Sequence, residues 1–139
     1  MKREEQQLLT FNIGKAAYGI DIEKIKEIIR YSKVTKIPNE DERVLGVIMP
    51  RDKLITVIDL KRCLFGESSE PDERDYFIFC DIDNKLFAYQ VSDLNEIVHL
   101  ERSEIMSPSD VVDMRESMIT GLLSRNEKII SILDIERAC

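Results

Sequence analysis

The chain has 139 residues, of which 34% are charged and 43% hydrophobic, and its formal net charge is −7. This length fits one compact domain or two very small ones that share a core. The acidic balance argues against nucleic-acid binding, because binders of nucleic acids present a concentrated basic face to the phosphates. No apolar run approaches the roughly 18 residues that span a bilayer, and the N-terminus has no signal-peptide pattern. We therefore expect a cytoplasmic protein without nucleic-acid partners or direct membrane insertion.

The first part of the chain predicts short strands joined by polar turns. A β-like segment covers residues 8–14, and Gly14-Lys15 then supplies a tight turn. Residues 22–30 place apolar side chains at a helical spacing but are rich in β-branched residues. We interpret them as a turn or two of helix that passes into a strand.

The next segment, 46–63, predicts a strand pair that begins at a glycine. Gly46 lacks a Cβ, which permits a bulge or a close backbone approach. Residues 49–53 form a polar turn, and the apolar run 54–60 predicts a strand buried on both faces. A polar, acidic linker follows at 66–75.

The second part of the chain repeats the first. Segment 121–138 aligns without a gap to 46–63, and segment 87–98 aligns to 18–29. A second β-like segment, 76–82, lies before segment 87–98, and Asp83-Asn84 is predicted to form the turn between them. The identical pairs include Gly46/Gly121, Lys53/Lys128, Asp59/Asp134, Arg62/Arg137, Glu27/Glu96 and Ile28/Ile97. Two copies of one small unit predict a pseudo-symmetric pair.

These elements predict a mostly β fold in a single domain, 1–139, with a few short helices. The internal repeat covers approximately 6–65 and 75–138 and predicts two small barrels or sheets around a shared apolar interior. The pattern leaves open whether strands are exchanged between the two barrels.

Catalytic and metal-binding signatures are weak throughout. His99 is the only histidine, and we interpret it as a strand-end or surface residue. Residues 81–85 resemble the start of a calcium loop, but the required third ligand and glycine are replaced, which favours a hairpin turn. The odd number and wide spacing of Cys63, Cys80 and Cys139 favour free thiols, buried or terminal. We predict no enzyme activity, no cofactor and no metal.

Two aspartates, Asp59 and Asp134, occupy identical positions of the repeat at the ends of apolar strands. A functional carboxylate pair is one interpretation. The other, which we favour, is that each caps the segment that follows by accepting backbone N–H bonds.

Several motifs together resemble the CheW-like domain of bacterial and archaeal chemotaxis, over about residues 6–138. They are "LLTFNIGKAAYGIDIEKIKEII", "VTKIPNEDERVLGVIMPRDKLITVIDLKRCLF" and "TGLLSRNEKIISILDIERA". The resemblance implies two packed five-stranded SH3-like β-barrels with a pseudo-two-fold relation. It also implies a non-catalytic adaptor that couples the cytoplasmic tip of a chemoreceptor to the regulatory domain of a CheA-type histidine kinase, recruited to membrane-associated receptor arrays.

By motif position, the resemblance implies a set of partner-binding residues. Arg51 matches the arginine of an N-L-R-G loop, Glu27 the acid of an "E-I" element, and Gly46 the glycine that opens the loop strand. The apolar positions beside the receptor groove are Ile22, Ile25 and Ile28, with Val91, Leu94 and Val98 as candidates on the second barrel.

The loop itself departs from the family pattern, because it reads Met49-Pro50-Arg51-Asp52. Asp52 replaces a glycine that can use positive φ, and Pro50 fixes its own φ near −65°. We expect a loop of different shape in which Asp52 partly masks the charge of Arg51. Two alternatives stay open: a divergent paralogue that serves a non-motility chemosensory pathway, and a small-ligand sensor that uses the groove between the barrels.

Overall fold

A computed structural model of the chain describes residues 5–38, 41–67, 72–108 and 118–137. Strands dominate these residues, which confirms the mostly β prediction. The strands are β1 (Glu5–Ile13), β2 (Ala16–Asp21), β3 (Ile25–Arg30), β4 (Val44–Ile48), β5 (Ile55–Ile58), β6 (Tyr76–Ile82), β7 (Lys85–Val91), β8 (Asp93–Glu101), β9 (Ile119–Arg125) and β10 (Lys128–Leu133). One helix, α1 (Leu60–Phe65), and 3-10 turns at Ile22–Lys24, Pro50–Asp52, Arg102–Glu104 and Ile135–Arg137 complete the described structure.

The strands form two five-stranded sheets with the same internal plan. One sheet has the order β8-β1-β2-β10-β9, and the other has the order β3-β6-β7-β5-β4. Each contains one parallel pair, β2 with β10 and β5 with β7. The two copies of the repeat correspond strand for strand, β1–β5 to β6–β10, so the sheets are equivalent.

Each sheet belongs to a separate compact unit, and each unit takes strands from both copies of the repeat. Unit 1 comprises the described residues of 1–23 and 94–138, and unit 2 those of 24–93. The first two strands of one copy therefore pair with the last three of the other. Strands are thus exchanged between the two copies, so the sequence halves are not the units.

Each unit has its own apolar core. In unit 1 it consists of Leu8, Val98, Leu100, Leu123, Ile130 and Ile132. In unit 2 it consists of Ile48, Ile55, Val57, Phe77, Phe79 and Ala88. Burial of a side chain as large as Phe77 stabilises the fold by about 1.5–3 kcal/mol relative to exposure.

The segment 22–30 is divided as the sequence predicts. A single 3-10 turn, Ile22–Lys24, passes directly into β3. The prediction of a buried strand over 54–60 is less accurate, because β5 begins at Ile55 and the side chain of Leu54 is exposed. Its repeat equivalent, Ile129, is exposed as well.

The predicted hairpin turns are confirmed. Ile82 pairs with Lys85, so Asp83 and Asn84 form a two-residue turn with φ values of 51° and 65°. Asn and Asp tolerate this left-handed backbone better than most residues. Gly14 supplies the positive φ, 63°, in the turn between β1 and β2.

The capping interpretation of the two aspartates is confirmed. Asp59 precedes α1, and its Oδ1 accepts a hydrogen bond from the Arg62 backbone N–H at 3.2 Å. Asp134 precedes the last 3-10 turn, and its Oδ1 accepts from the Glu136 N–H at 3.0 Å. Each carboxylate thus satisfies a backbone donor that the following turn leaves without an internal partner.

Gly46 and Gly121 both allow a preceding segment to reach an edge strand. Thr35 forms a two-hydrogen-bond bridge to Val47, and Met106 forms the equivalent bridge to Leu122. A Cβ on Gly46 would overlap the Thr35 carbonyl oxygen, and one on Gly121 would lie 2.5 Å from Cγ2 of Ile105. The predicted close approach is therefore present in both copies.

The cysteines correct one prediction. Cys80 is a buried free thiol, and burial raises its pKa to about 12. Cys63 is disulfide-bonded, so the prediction of a free thiol is wrong for this residue. Cys139 and residues 68–71 of the predicted linker lie outside the described residues.

Candidate functional site

The structure brings together two residues that the resemblance identifies separately, Arg51 and Glu27. Nη2 of Arg51 donates a hydrogen bond to Oε1 of Glu27 at 2.5 Å. Arg51 lies in the connection between β4 and β5, and Glu27 lies on β3, 24 residues earlier in the chain. The Arg51 side chain is 72% exposed, so the ion pair sits at the surface of unit 2.

The backbone of the β4–β5 connection places Arg51 at the tip. Arg51 and Asp52 have φ values of 51° and 61°, and the Lys53 N–H donates to the Pro50 carbonyl at 3.0 Å. Asp52 thus has a positive φ, the backbone conformation that glycine adopts most readily. A loop shape different from that of the family stays a prediction. Pro50 cannot donate a hydrogen bond of its own, so the ladder stops at the Ile48–Ile55 pair.

Two large apolar side chains flank the Arg51 tip. Met49 and Leu54 are both exposed although the strands next to them are well buried. Neither was predicted from the sequence, because Met49 falls in the polar turn 49–53 and Leu54 continues an apolar run that is typical of a buried strand. Exposed apolar groups beside a charged pair are typical of recognition surfaces.

The ion pair sets the charge state of this surface. The hydrogen bond from Arg51, followed by its positive charge, lowers the pKa of Glu27 below the usual glutamate range. Glu27 in turn raises the pKa of the Arg51 guanidinium, which is ionised at any physiological pH. The acid that pairs with Arg51 is therefore Glu27. Among the described residues no ion pair joins Arg51 to Asp52, so the expected masking of the Arg51 charge by Asp52 is not observed.

The predicted apolar contact positions differ in accessibility. Ile28 is exposed on β3, while Ile22 and Ile25 are half-buried. Leu94, near the start of β8, is half-buried as well. Val91 and Val98 are only 1% and 5% exposed, so these two side chains pack in the interior.

Gly46 also has a structural explanation. Its φ is 150°, a conformation that L side chains rarely adopt, and its missing Cβ makes room for the Thr35 carbonyl. The position therefore shapes the strand that leads to the Arg51 tip. Of the predicted residues, Arg51, Glu27 and Ile28 present side chains at the surface.

Comparisons with known proteins agree with this fold. Residues 7–139 match the family described as CheW-like domain. The chain is 29% identical over 133 residues to chemotaxis protein CheW of Klebsiella aerogenes, across 95% of this chain and 80% of that protein. It is 26% identical over 139 residues to chemotaxis protein CheW of Treponema pallidum, across 96% and 82% respectively. The crystal structure of the scaffolding protein TtCheW from Thermoanaerobacter tengcongensis has a TM-score of 0.84 at 24% identity, covering 96% of this chain and 87% of that one, which shows a shared fold.

Proposed function

The chain belongs to the CheW-like domain family, and from this premise we propose that it is a non-catalytic adaptor of a chemosensory pathway. It couples the cytoplasmic tip of a chemoreceptor to the regulatory domain of a CheA-type histidine kinase, and it works in the cytoplasm at membrane-associated receptor arrays. The relatives named above are chemotaxis proteins, which supports the pathway.

The exposed Arg51–Glu27 ion pair is the observation that carries the proposal. An adaptor needs a surface that is held in a fixed geometry and is still free to bind. Glu27 is fixed by β3, and its carboxylate orients the guanidinium of Arg51, which otherwise projects into solvent. Arginine on an ordered surface is enriched among the residues that dominate interface energies. Met49 and Leu54 supply apolar area on either side.

We assign the remaining contact positions by accessibility. Ile28, exposed on the face of β3 opposite to Glu27, contributes as a separate contact, and Ile22, Ile25 and Leu94 contribute through their accessible parts. Val91 and Val98 act through packing alone. Gly46 acts by shaping β4.

Two further features accompany this proposal. Among the described residues, no group of three or more His, Cys, Asp or Glu side chains is arranged to hold a metal ion. No described helix has the length and apolar character that crossing a membrane requires.

The test compares two exposed arginines of unit 2. We expect Arg51→Glu to weaken binding to the cognate kinase regulatory domain by about tenfold or more, which corresponds to about 1.4 kcal/mol. The matched control is Arg74→Glu, because Arg74 is also exposed and also pairs with a neighbouring acid, Asp72, at 2.9 Å. Isothermal titration calorimetry of the full chain against the kinase domain and the receptor tip measures both. Equal effects of the two variants would contradict the assignment of the Arg51 surface.

A charge exchange separates recognition of Arg51 from the integrity of the ion pair. The double variant Arg51→Glu with Glu27→Arg restores an ion pair of opposite polarity. If partners recognise the arginine, the double variant stays weak; if only the intact pair matters, binding returns. Absence of any binding by the wild-type chain to kinase and receptor would reject the adaptor function itself. Binding to the kinase alone would favour the divergent-paralogue alternative.

A further inference from the structure

One end of the unit 2 sheet borders an open cavity that the family resemblance does not assign. Strands β3, β5 and β7 begin at this end, and β6 finishes there before the Asp83-Asn84 turn. The cavity measures about 430 Å³. Its walls are formed by Lys26, Lys53, Leu54, Asp81, Lys85 and Leu86.

The charge of this cavity is opposite to that of the chain. Three lysines and one aspartate give it a net charge of +2, whereas the chain carries −7. Within the part of the chain that the structure describes, none of the three ammonium groups forms an ion pair with a carboxylate. Four arginines of unit 2, Arg43, Arg51, Arg62 and Arg74, do have acidic partners. Like charges that converge on a concave surface raise the local positive potential.

Lys26 and Lys85 are held at the cavity by strands β3 and β7. Lys26 is one residue before Glu27 on β3, at the point where the pairing of β3 with β6 shifts register. The cavity adjoins the Arg51–Glu27 surface, since Leu54 borders both and Lys53 lies two residues after Arg51. Lys85 extends along its own strand, with Nζ 5.3 Å from the centroid of the Phe87 ring, a cation–π contact that restrains the ammonium group.

The cavity also offers apolar area. Leu54 is 63% exposed, and Leu86 packs partly against the unit 2 core. A volume of this size lies within the roughly 300–1,000 Å³ range of ligand-binding clefts. A single small inorganic anion would leave the leucines and much of the volume unused. A nucleic acid would need an extended basic surface, which this acidic chain does not supply.

We propose that this lysine cavity docks an acidic segment of a partner protein. Carboxylates of the segment face Lys26, Lys53 and Lys85, and one apolar side chain packs on Leu54 and Leu86. Charge complementarity selects the partner, since the cavity presents three lysines that form no ion pair within the described residues, on a chain whose net charge is −7. The proposal does not rest on the adaptor function, and its test uses neither kinase nor receptor.

The test is an NMR titration of the full-length, ¹⁵N-labelled chain with two peptides. One is acetyl-ELEELE-amide, and the other is the uncharged analogue acetyl-QLQQLQ-amide. We expect the acidic peptide to shift the amides of residues 26, 53–54 and 81–86, and the shifts to shrink as salt is added because charges are screened. The analogue should produce no comparable shifts. Shifts of equal size with both peptides, or shifts located elsewhere, would overturn the proposal.

Matched lysine variants supply the second arm. The triple variant with Lys26→Gln, Lys53→Gln and Lys85→Gln should weaken binding of the acidic peptide by about tenfold or more. The control triple variant, Lys15→Gln, Lys33→Gln and Lys128→Gln, removes the same charge from exposed positions outside the cavity, and Lys128 is the repeat equivalent of Lys53. An equal loss in both triple variants would indicate general attraction and overturn the proposal.

Sedimentation equilibrium of the wild-type chain and both triple variants distinguishes a second copy of the acidic chain from a different partner. We expect all three to have the same oligomeric state. A dimer that only the cavity variant disrupts would identify the occupant as a second copy and overturn the assignment to another protein. Thermal midpoints of the variants verify that each one is folded.

Discussion

The two copies of the hairpin, β4–β5 and β9–β10, have the same backbone plan but use it differently at the tip. Arg51-Asp52 and Asn126-Glu127 align, and all four residues have φ between 51° and 65°. In β9–β10 the ladder continues to the Arg125–Lys128 pair, whereas in β4–β5 it stops at Ile48–Ile55. Both tips are two-residue turns, because the Lys53 N–H donates to the Pro50 carbonyl in the first hairpin as well. The first differs in that Pro50 has no N–H with which to continue the ladder.

The arginines of the two tips are also used differently. Arg125 is 31% exposed, pairs with Glu104 at 2.8 Å and donates to the His99 carbonyl, so it joins parts of unit 1. Arg51 is 72% exposed. Glu96, the repeat equivalent of Glu27, faces no arginine from the second tip, because Asn126 replaces Arg51. The repeat therefore specifies the scaffold, while one divergent tip supplies the proposed recognition surface.

The glycines of the two hairpins test the shared scaffold and give the largest expected effect. Gly46→Ala combines a strained φ with overlap on the rigid Thr35 carbonyl, and each costs about 1–3 kcal/mol. In Gly121→Ala only the side chain of Ile105 lies at clash distance, so the substitution incurs a single cost of about 1–3 kcal/mol. Urea denaturation should therefore show the greater loss of unfolding free energy for Gly46→Ala. Equal losses, or the reverse order, would contradict the distinction between a backbone and a side-chain clash.

A tip exchange tests the divergence directly, with an intermediate effect. Replacing Met49-Pro50-Arg51-Asp52 by Ser-Arg-Asn-Glu gives the first hairpin the second tip. Since both backbones already share positive φ at the two central residues, the free energy of unfolding should change by about 1 kcal/mol or less. Kinase-domain binding should weaken by about tenfold or more, as measured by calorimetry.

The reciprocal exchange is the control for that experiment. It changes Ser124-Arg125-Asn126-Glu127 to Met-Pro-Arg-Asp and removes the Arg125–Glu104 ion pair. Binding should stay within about twofold of wild type, a difference of about 0.4 kcal/mol. If both exchanges weaken binding alike, the recognition surface does not reside in the first tip.

Much of this architecture follows from local sequence signals. Tight turns, capping aspartates and the glycines of close approach each depend on the chemistry of one or two residues, and the structure contains them where the sequence predicts them. Exchange of strands between the two copies is different. Because both copies have the same strand pattern, β2 has equivalent apolar partners in β5 and β10, and only tertiary packing selects β10.

The candidate sites were predictable to different degrees. Arg51 and Glu27 followed from family motifs, but their contact joins positions 24 residues apart, and no local pattern encodes it. The lysine cavity draws on four chain segments that the sheet order brings to one end. Leu54 was misread because strand-like hydrophobicity does not reveal where a hairpin ladder stops. In the first hairpin Pro50 ends the ladder, because proline has no backbone N–H to donate.

The titration of Glu27 gives the smallest expected effect and examines the ion pair itself. Arg51 stabilises the ionised carboxylate, so the pKa of Glu27 lies below its ordinary value in the wild-type chain. Removing the guanidinium in Arg51→Gln should raise this pKa toward the ordinary glutamate range. Because the folded pKa is the lower one, any stabilisation by the pair is fully present above the unfolded pKa and is lost as the pH falls through the folded value. Carboxyl ¹³C shifts followed from pH 7 downwards measure the midpoint in both proteins. An unchanged midpoint would mean that Arg51 and Glu27 do not interact in solution, and it would remove the feature that most clearly distinguishes the first tip from the second.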